Sequence, residues 1–370
     1  MQITDRRRWL KQSALALAGL GLSPTLFAKS VDHSVLYNQE DAILLGSNEN
    51  PYGPSPAARK AMLENYLSSN RYPDDIVVDL KKAIAAHWGV GAEHILLGAG
   101  SSEIIGLACL HASKRKGHVV TTHPSYQEWN TQASAFGLSF KRNQLPKNAT
   151  TDIEKLYGPV ASETSMVYIC NPNNPTGSVI ETKLIEQFAV KASKQTLVFI
   201  DEAYTEYAGM DSLARLAINN PAIIVAKTFS KIYGLAGARI GYAIAHPETI
   251  QGLSNYQPWP DANVSTVSAA AAIASLTDRG FLLDCREKNN KVKELCYSTF
   301  QQLNLEYIPS STNFILFNID KLKEKFNSGM KNKNIHLRIR DAYGGKWCRV
   351  TMGTLKEIHT FTNTLKEIAV

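Results

Sequence analysis

Five short apolar runs, each cut off by a polar or glycine-rich turn, constrain this chain more than any other feature. They are Ile95-Leu96-Leu97, His118 to Thr122, Ser165 to Cys170, Thr196 to Ile200 and Ala222 to Ala226. Runs of this length with little alternation read as strands buried on both faces. Helical patterns lie among them, at Ile104 to Ala112, Gln127 to Phe136 and Lys183 to Ser193. This rhythm predicts an α/β domain with a largely parallel sheet, and a further strand is expected at Ile240 to Ala245. The polar turns fall at the carboxyl ends of the strands, where open α/β sheets bind ligands.

The turn after Ala226 carries the most chemistry. Thr228-Phe229-Ser230-Lys231 is followed by Gly234 and Gly237 and then by Arg239. A lysine at the end of a buried strand loses hydration, which lowers its pKa and supplies the neutral amine that Schiff-base chemistry needs. The neighbouring hydroxyls and the arginine suit a phosphate dianion. Together they point to a lysine that binds a phosphorylated aldehyde cofactor, pyridoxal phosphate. A surface lysine and arginine beside a glycine-rich loop would leave the same trace. Gly98-Ala99-Gly100-Ser101-Ser102-Glu103, between a strand and a helix, is a second phosphate candidate. Many such turns are glycine-rich for steric reasons alone.

Elsewhere, Leu44 to Pro54 is too rich in Pro and Gly for a helix or a central strand. Helices are expected at Ser55 to Tyr66 and Asp79 to Trp88, with a loop at Asn70 to Asp74 between them. Past residue 255 the character changes. An alanine-rich helix (Val264 to Leu276) and a long charged one (Phe281 to Leu303) precede strand candidates at Asn313 to Phe317, Ile335 to Ile339 and Cys348 to Met352, and a helix closes the chain. The expected organisation is an export signal at 1–28, an N-terminal segment at 29–70 that contributes to the small domain and the substrate side, a large cofactor-binding domain at 71–255, and a small α+β domain at 256–370.

The 370 residues suffice for one large or two moderate domains, and 44% hydrophobic with 20% charged content is ordinary for a soluble protein. Three of the seven net positive charges belong to residues 1–11, where Arg6, Arg7, Arg8 and Lys11 face Asp5 alone. The mild remainder suits a small anionic ligand and does not call for nucleic acid. Arg6-Arg7-Arg8-Trp9-Leu10-Lys11, the apolar stretch Ser13 to Leu22, Pro24 and a possible cut after Ala28 resemble a twin-arginine export signal. That implies export by the corresponding machinery to the periplasm. A short amphipathic helix on a cytoplasmic protein is the alternative. Cys109, Cys170, Cys285, Cys296 and Cys348 are scattered, odd in number and without CxxC spacing, so neither a metal site nor a disulfide framework is expected.

Taken in order, these segments resemble one family, the fold-type I pyridoxal-phosphate aminotransferases, and within it the histidinol-phosphate aminotransferase branch. The matching pieces are Asn48 to Gly53, Arg71 to Asp74, Gly98 to Glu103, Pro124-Ser125-Tyr126, Asn171 to Gly177, Asp201 to Tyr204, Thr228 to Tyr242, Thr312 to Phe314 and Arg349 to Thr354. The resemblance implies a fold-type I architecture, pyridoxal 5'-phosphate as cofactor and no metal. It implies that Lys231 anchors the cofactor and then shuttles a proton. Asp201 would pair with the pyridine nitrogen, while Tyr204 and Asn174 would bond the ring hydroxyl. Tyr126 would stack on the ring. Arg239, Thr228, Ser230, Ser101 and Ser102 would hold the phosphate. Many relatives carry an acid where Ser102 stands, which leaves that side chain's part open. Tyr72 would reach a partner's cofactor across a homodimer interface. Arg349 would clamp the substrate's acidic group, with Arg340 as a second contact, a choice that Arg338 beside it leaves open, and Asn50 on the substrate side.

The implied reaction is ping-pong amino transfer from an L-amino donor, histidinol phosphate or a related amino acid, to a 2-oxo acid such as 2-oxoglutarate. Decarboxylation of a phosphorylated amino acid, and cofactor or amine binding without turnover, are the alternatives. The donor stays open. An export signal fits poorly with cytosolic histidine synthesis, and Gln257-Pro258-Trp259-Pro260 departs from the branch's usual run in a region expected to shape the pocket.

Overall fold

A computed structural model describes residues 42–147, 153–158, 160–261 and 263–369. The export-signal reading falls on residues outside these. Ile43–Val370 forms one compact unit.

Thirteen strands make three sheets among the described residues. After Ile43–Leu44 (β1), seven strands build the main sheet: Ile95–Gly98 (β2), His118–His123 (β3), Ser139–Gln144 (β4), Thr164–Cys170 (β5), Leu197–Asp201 (β6), Ile223–Thr228 (β7) and Gly241–Ala245 (β8). Their order is β2-β8-β7-β6-β5-β3-β4. β8 runs against both its neighbours, and the other paired strands are parallel. All residues of β5, β6 and β7 are buried: the apolar runs as expected, and with them the polar ends Thr164, Ser165, Asp201, Lys227 and Thr228. Each fully buried Val, Ile or Leu there contributes roughly 1.5–3 kcal/mol, so this centre of the sheet is rigid. Register then aligns the functional ends: Cys170 opposes Asp201, Asp201 opposes Ala226, and Thr228 opposes Gly241.

The second half contributes Tyr307–Ile308 (β9), Phe314–Asn318 (β10), Ile335–His336 (β11), Arg338–Ala342 (β12) and Gly345–Thr351 (β13). β12, β13, β10 and β9 form an antiparallel sheet in that order, while β11 pairs in parallel with β1. The strand expected at Ile335 to Ile339 is therefore two strands. His336 faces Leu44 in one sheet and Arg338 faces Arg349 in another, so the chain changes partners at Leu337.

Helix ends follow local chemistry. Ser55 Oγ accepts from Ala58 N at 3.1 Å and Pro56 occupies the first turn, starting the helix Pro56–Asn65. The helix expected from Asp79 begins at Asp74, because Asp74 and Asp75 suit the positive end of the helix dipole, and Gly89 ends it in the left-handed region. The helix expected at Gln127 to Phe136 shortens to Asn130–Ala135. The turn before it is held by Trp129 Nε1 donating to Tyr126 O.

Candidate active site

The carboxyl ends of β5, β6 and β7 open onto a cavity of about 500 Å³. Its wall includes Ser101, Ser102, Tyr126, Asn174, Asp201, Tyr204, Thr228, Ser230, Lys231, Arg239, Arg340 and Arg349. Twelve of the fourteen residues singled out from sequence thus meet in one place, from positions as distant as 101 and 349. Tyr72 and Asn50 do not line it. Tyr72 is 74% exposed and packs on Trp259 with ring centroids 4.8 Å apart. Asn50 is buried behind the wall, its Nδ2 donating to Ile232 O at 2.7 Å and to Cys285 Sγ at 3.3 Å. There it braces the turn that follows Lys231. Of the region expected to shape the pocket, no described residue from Tyr256 to Asn263 lines the cavity. Gln257 instead ties that segment to Leu97 O and Glu103 Oε1, at 3.0 and 2.9 Å.

Lys231 follows β7 by three residues and is half-buried. Desolvation first, then the Arg349 charge, lowers its pKa to about 8, with Glu49 and Asp201 opposing. A fraction of neutral amine near neutral pH follows. Asp201, the last residue of β6, is 3% exposed. Its Oδ2 accepts from the Tyr168 hydroxyl at 2.7 Å and its Oδ1 from Ala203 N at 3.1 Å. Burial pushes its pKa up; those two hydrogen bonds and Lys231 pull it back. A buried carboxylate so poorly compensated favours a cation beside it.

The Tyr204 hydroxyl accepts from Asn48 Nδ2 at 2.9 Å and from Asn174 Nδ2 at 3.5 Å. Lys231 Nζ lies 5.7 Å from the Tyr204 ring centroid. Asn48 was not singled out by itself; its partner is 156 residues away and no local pattern announces the pair.

One end of the cavity is built for an anion. The helix Ser101–Ser113 begins there, presenting its free N–H end, and Thr228, Ser230 and Arg239 line the same space. Arg239 has φ +53° and donates to Ala236 O at 3.0 Å and Ala99 O at 3.2 Å, which fixes its guanidinium. Gly100, at φ +82°, leaves room for it; a Cβ there would collide with that guanidinium. Tyr126 and Ser102 line the same cavity.

The opposite wall is Arg349, 5% exposed, donating from Nη1 to Asn174 Oδ1 and from Nη2 to Gly46 O, both at 2.6 Å. Its Nε is buried without a partner among the described residues. Burial first lowers its pKa to about 10. Glu128 and Arg338 also line the cavity; the sequence offered Arg338 only as the neighbour of Arg340 and did not point to Glu128.

These residues fit pyridoxal 5'-phosphate: an amine for its aldehyde, an under-compensated carboxylate for its ring nitrogen, and a helix end with hydroxyls and an arginine for its phosphate. Arg349 and its free Nε remain for a second acid. No group of His, Cys, Asp and Glu suited to a metal occurs among the described residues.

Comparison with known proteins agrees with this geometry. The aminotransferase class I and II family profile matches residues 40–365. A histidinol-phosphate aminotransferase of Moorella thermoacetica is 34% identical over 336 residues, 89% of this chain and 86% of its own length. The crystal structure of histidinol-phosphate aminotransferase from Sinorhizobium meliloti in complex with pyridoxal-5'-phosphate matches with a TM-score of 0.81 and 27% identity, over 94% of this chain and 97% of that one. The L-threonine-O-3-phosphate decarboxylase of Porphyromonas gingivalis shares the fold, with a TM-score of 0.76 and 19% identity over 88% of this chain and 98% of its own. The chain belongs to the aminotransferase class I and II family, with the α/β architecture of the fold-type I enzymes.

Proposed function

We propose that this aminotransferase moves an amino group from an L-amino donor, histidinol phosphate or a related amino acid, to a 2-oxo acid such as 2-oxoglutarate. The cofactor is pyridoxal 5'-phosphate, which when bound supplies an electrophilic carbonyl and a ring able to accept the electron pair of the substrate Cα. The observation that carries the reading is the meeting of Lys231, Asp201, Arg239 and Arg349 in one cavity.

Each residue has a task that its setting supports. Lys231 would anchor the cofactor through Nζ and, once the incoming amino group has displaced it, would carry the proton of the substrate Cα as a free amine, as a lowered pKa favours. Asp201 would pair with the ring nitrogen and favour its protonated form. The Tyr204 hydroxyl and Asn174 Nδ2 orient the ring hydroxyl, and Tyr126 covers the ring face. Arg239, Thr228, Ser230, Ser101 and Ser102 bind the phosphate. Arg349 takes the substrate carboxylate in its planar fork, with Arg340 as a second contact.

We extend the proposal to a homodimer in which Tyr72 serves the partner's cofactor. Its exposure, outside its own cavity and against Trp259 at 47%, supports an apolar contact surface there. We also retain the division into large and small domains at 71–255 and 256–370, and export to the periplasm through the N-terminal signal. Size measurement in solution and a reporter fused to residues 1–28 test the dimer and the export.

The function is tested by a donor screen on the holoenzyme, following loss of the bound cofactor's visible absorption and its recovery on adding a 2-oxo acid. Donor-dependent loss and acceptor-dependent recovery are expected. A colourless protein that ignores added cofactor overturns the reading. Carbon dioxide release without dependence on a 2-oxo acid replaces it with decarboxylation.

A further inference from the structure

The cavity-facing side of the four-stranded sheet carries three arginines. Arg338 and Arg349 are directly opposed across β12 and β13, and Arg340, two residues on, lines the same cavity. Like charges opposed across an antiparallel pair repel. Accordingly Arg340 and Arg338 follow burial among the causes that lower the Arg349 pKa. Arg349 is occupied by Asn174 and the Gly46 carbonyl. The other two arginines converge on one atom: Arg338 Nη2 and Arg340 Nη2 both donate to Glu128 Oε1, at 3.1 and 3.2 Å.

This bridge is exchangeable. The side chains of Arg338, Arg340 and Glu128 are 51%, 26% and 49% exposed, so solvent screens the pairing and holds it weakly. Arg340 Nε is buried and unpartnered among the described residues. A phosphate or carboxylate entering here would gain charge-assisted hydrogen bonds from both guanidinium groups and would need to displace one half-solvated carboxylate.

We propose that Glu128 is a built-in competitor at an Arg338–Arg340 anion subsite. It thereby sets how strongly the enzyme favours substrates that carry a second acidic group away from the reacting carbon. This rests on the aminotransferase reading above. While Glu128 sits on the pair, the subsite is a weaker anion site. Once the carboxylate is displaced, both guanidinium groups face the substrate.

The test compares the holoenzyme with Glu128→Gln and Arg338→Met at one fixed ionic strength. kcat and KM are measured for a donor with a distal phosphate, one with a distal carboxylate, one with a cationic side chain and one with an uncharged side chain. In Glu128→Gln the kcat/KM ratio of acidic over uncharged donors rises about tenfold, mainly through KM. Arg338→Met shifts the ratio the opposite way. A ratio that is unchanged or falls in Glu128→Gln overturns the proposal. A loss confined to a donor with a cationic side chain also overturns it, because Glu128 would then be a direct substrate ligand. Binding of succinate, read by the bound cofactor's absorption, gives an arm free of turnover. Its Kd should fall about tenfold in Glu128→Gln, and an unchanged Kd overturns the proposal. If no donor reacts with the wild type, the function reading fails while the succinate titration still decides this one.

Discussion

Arg349 Nη1 donates to Asn174 Oδ1 at 2.6 Å, joining the proposed substrate clamp to the amide proposed for the ring hydroxyl. The two residues stand 175 positions apart, on a strand of the four-stranded sheet and in the turn after β5. A change at either is felt at both. Arg349→Lys keeps a charge but loses the fork that reaches Asn174 and Gly46 together. A buried hydrogen bond to a charged group is worth about 1.5–3 kcal/mol. The expected result is a fall in kcat/KM of roughly 10²-fold, with KM raised, in steady-state kinetics.

The Lys231 amine gives a pH dependence with a defined sign. Its folded pKa of about 8 lies below the ordinary 10.5. Between those values the unfolded chain binds more protons, so apo-protein stability contributed by this group rises with pH across that window. Lys231→Met should therefore be more stable than the parent apo-protein at pH 7. The difference should shrink between about pH 8 and 10.5 in urea titrations. Capture of added cofactor by the parent should speed up as pH rises through about 8, and Lys231→Met should not capture it covalently.

Asp201→Asn keeps an oxygen at the Oδ1 position to accept from Ala203 N, puts at the Oδ2 position an NH2 that can donate to the Tyr168 hydroxyl oxygen, and removes the charge beside the proposed ring nitrogen. The expected outcome is near-normal folding with kcat reduced by about 10²-fold or more, in keeping with losing one preorganised charge from a buried site. Circular dichroism checks the first and single-turnover kinetics the second.

Beneath the site, Lys227 is 2% exposed, with Nζ 2.7 Å from Glu206 Oε1 and 3.4 Å from Glu202 Oε2. It also bonds Thr205 and lies 4.8 Å from the Trp88 ring centroid. Burial opposes its charge, but Glu206 and Glu202 outweigh burial and raise its pKa. Lys227→Met leaves the glutamates uncompensated and should cost about 3–5 kcal/mol in urea unfolding. Lys60→Met, which breaks an exposed pair with Glu64 at 3.7 Å, should stay within about 0.5 kcal/mol of wild type.

Much of the architecture was legible because β5, β6 and β7 are continuous apolar runs and their ends carry the polar groups. Asp201 and Lys231 could be read there, since each closes or closely follows a buried strand. β4 escaped notice because Ser139–Gln144 is a polar edge strand, defined by its parallel partner β3 more than by its own pattern. The break at Leu337 was hidden because two sheets divide one run of residues. Glu128 and Asn48 could not be found locally. Glu128 meets Arg338 across 210 positions, and Asn48 meets Tyr204 across 156. Only the folded sheets bring such pairs together.

The central claim is that Lys231 alone anchors the cofactor. Borohydride trapping of the holoenzyme, followed by peptide mass mapping, tests it most directly. The account predicts the reduced cofactor mass on the peptide containing Lys231, and its disappearance from that peptide when the donor is added before trapping. The mass on another lysine, such as Lys227, or on no peptide at all, would contradict it.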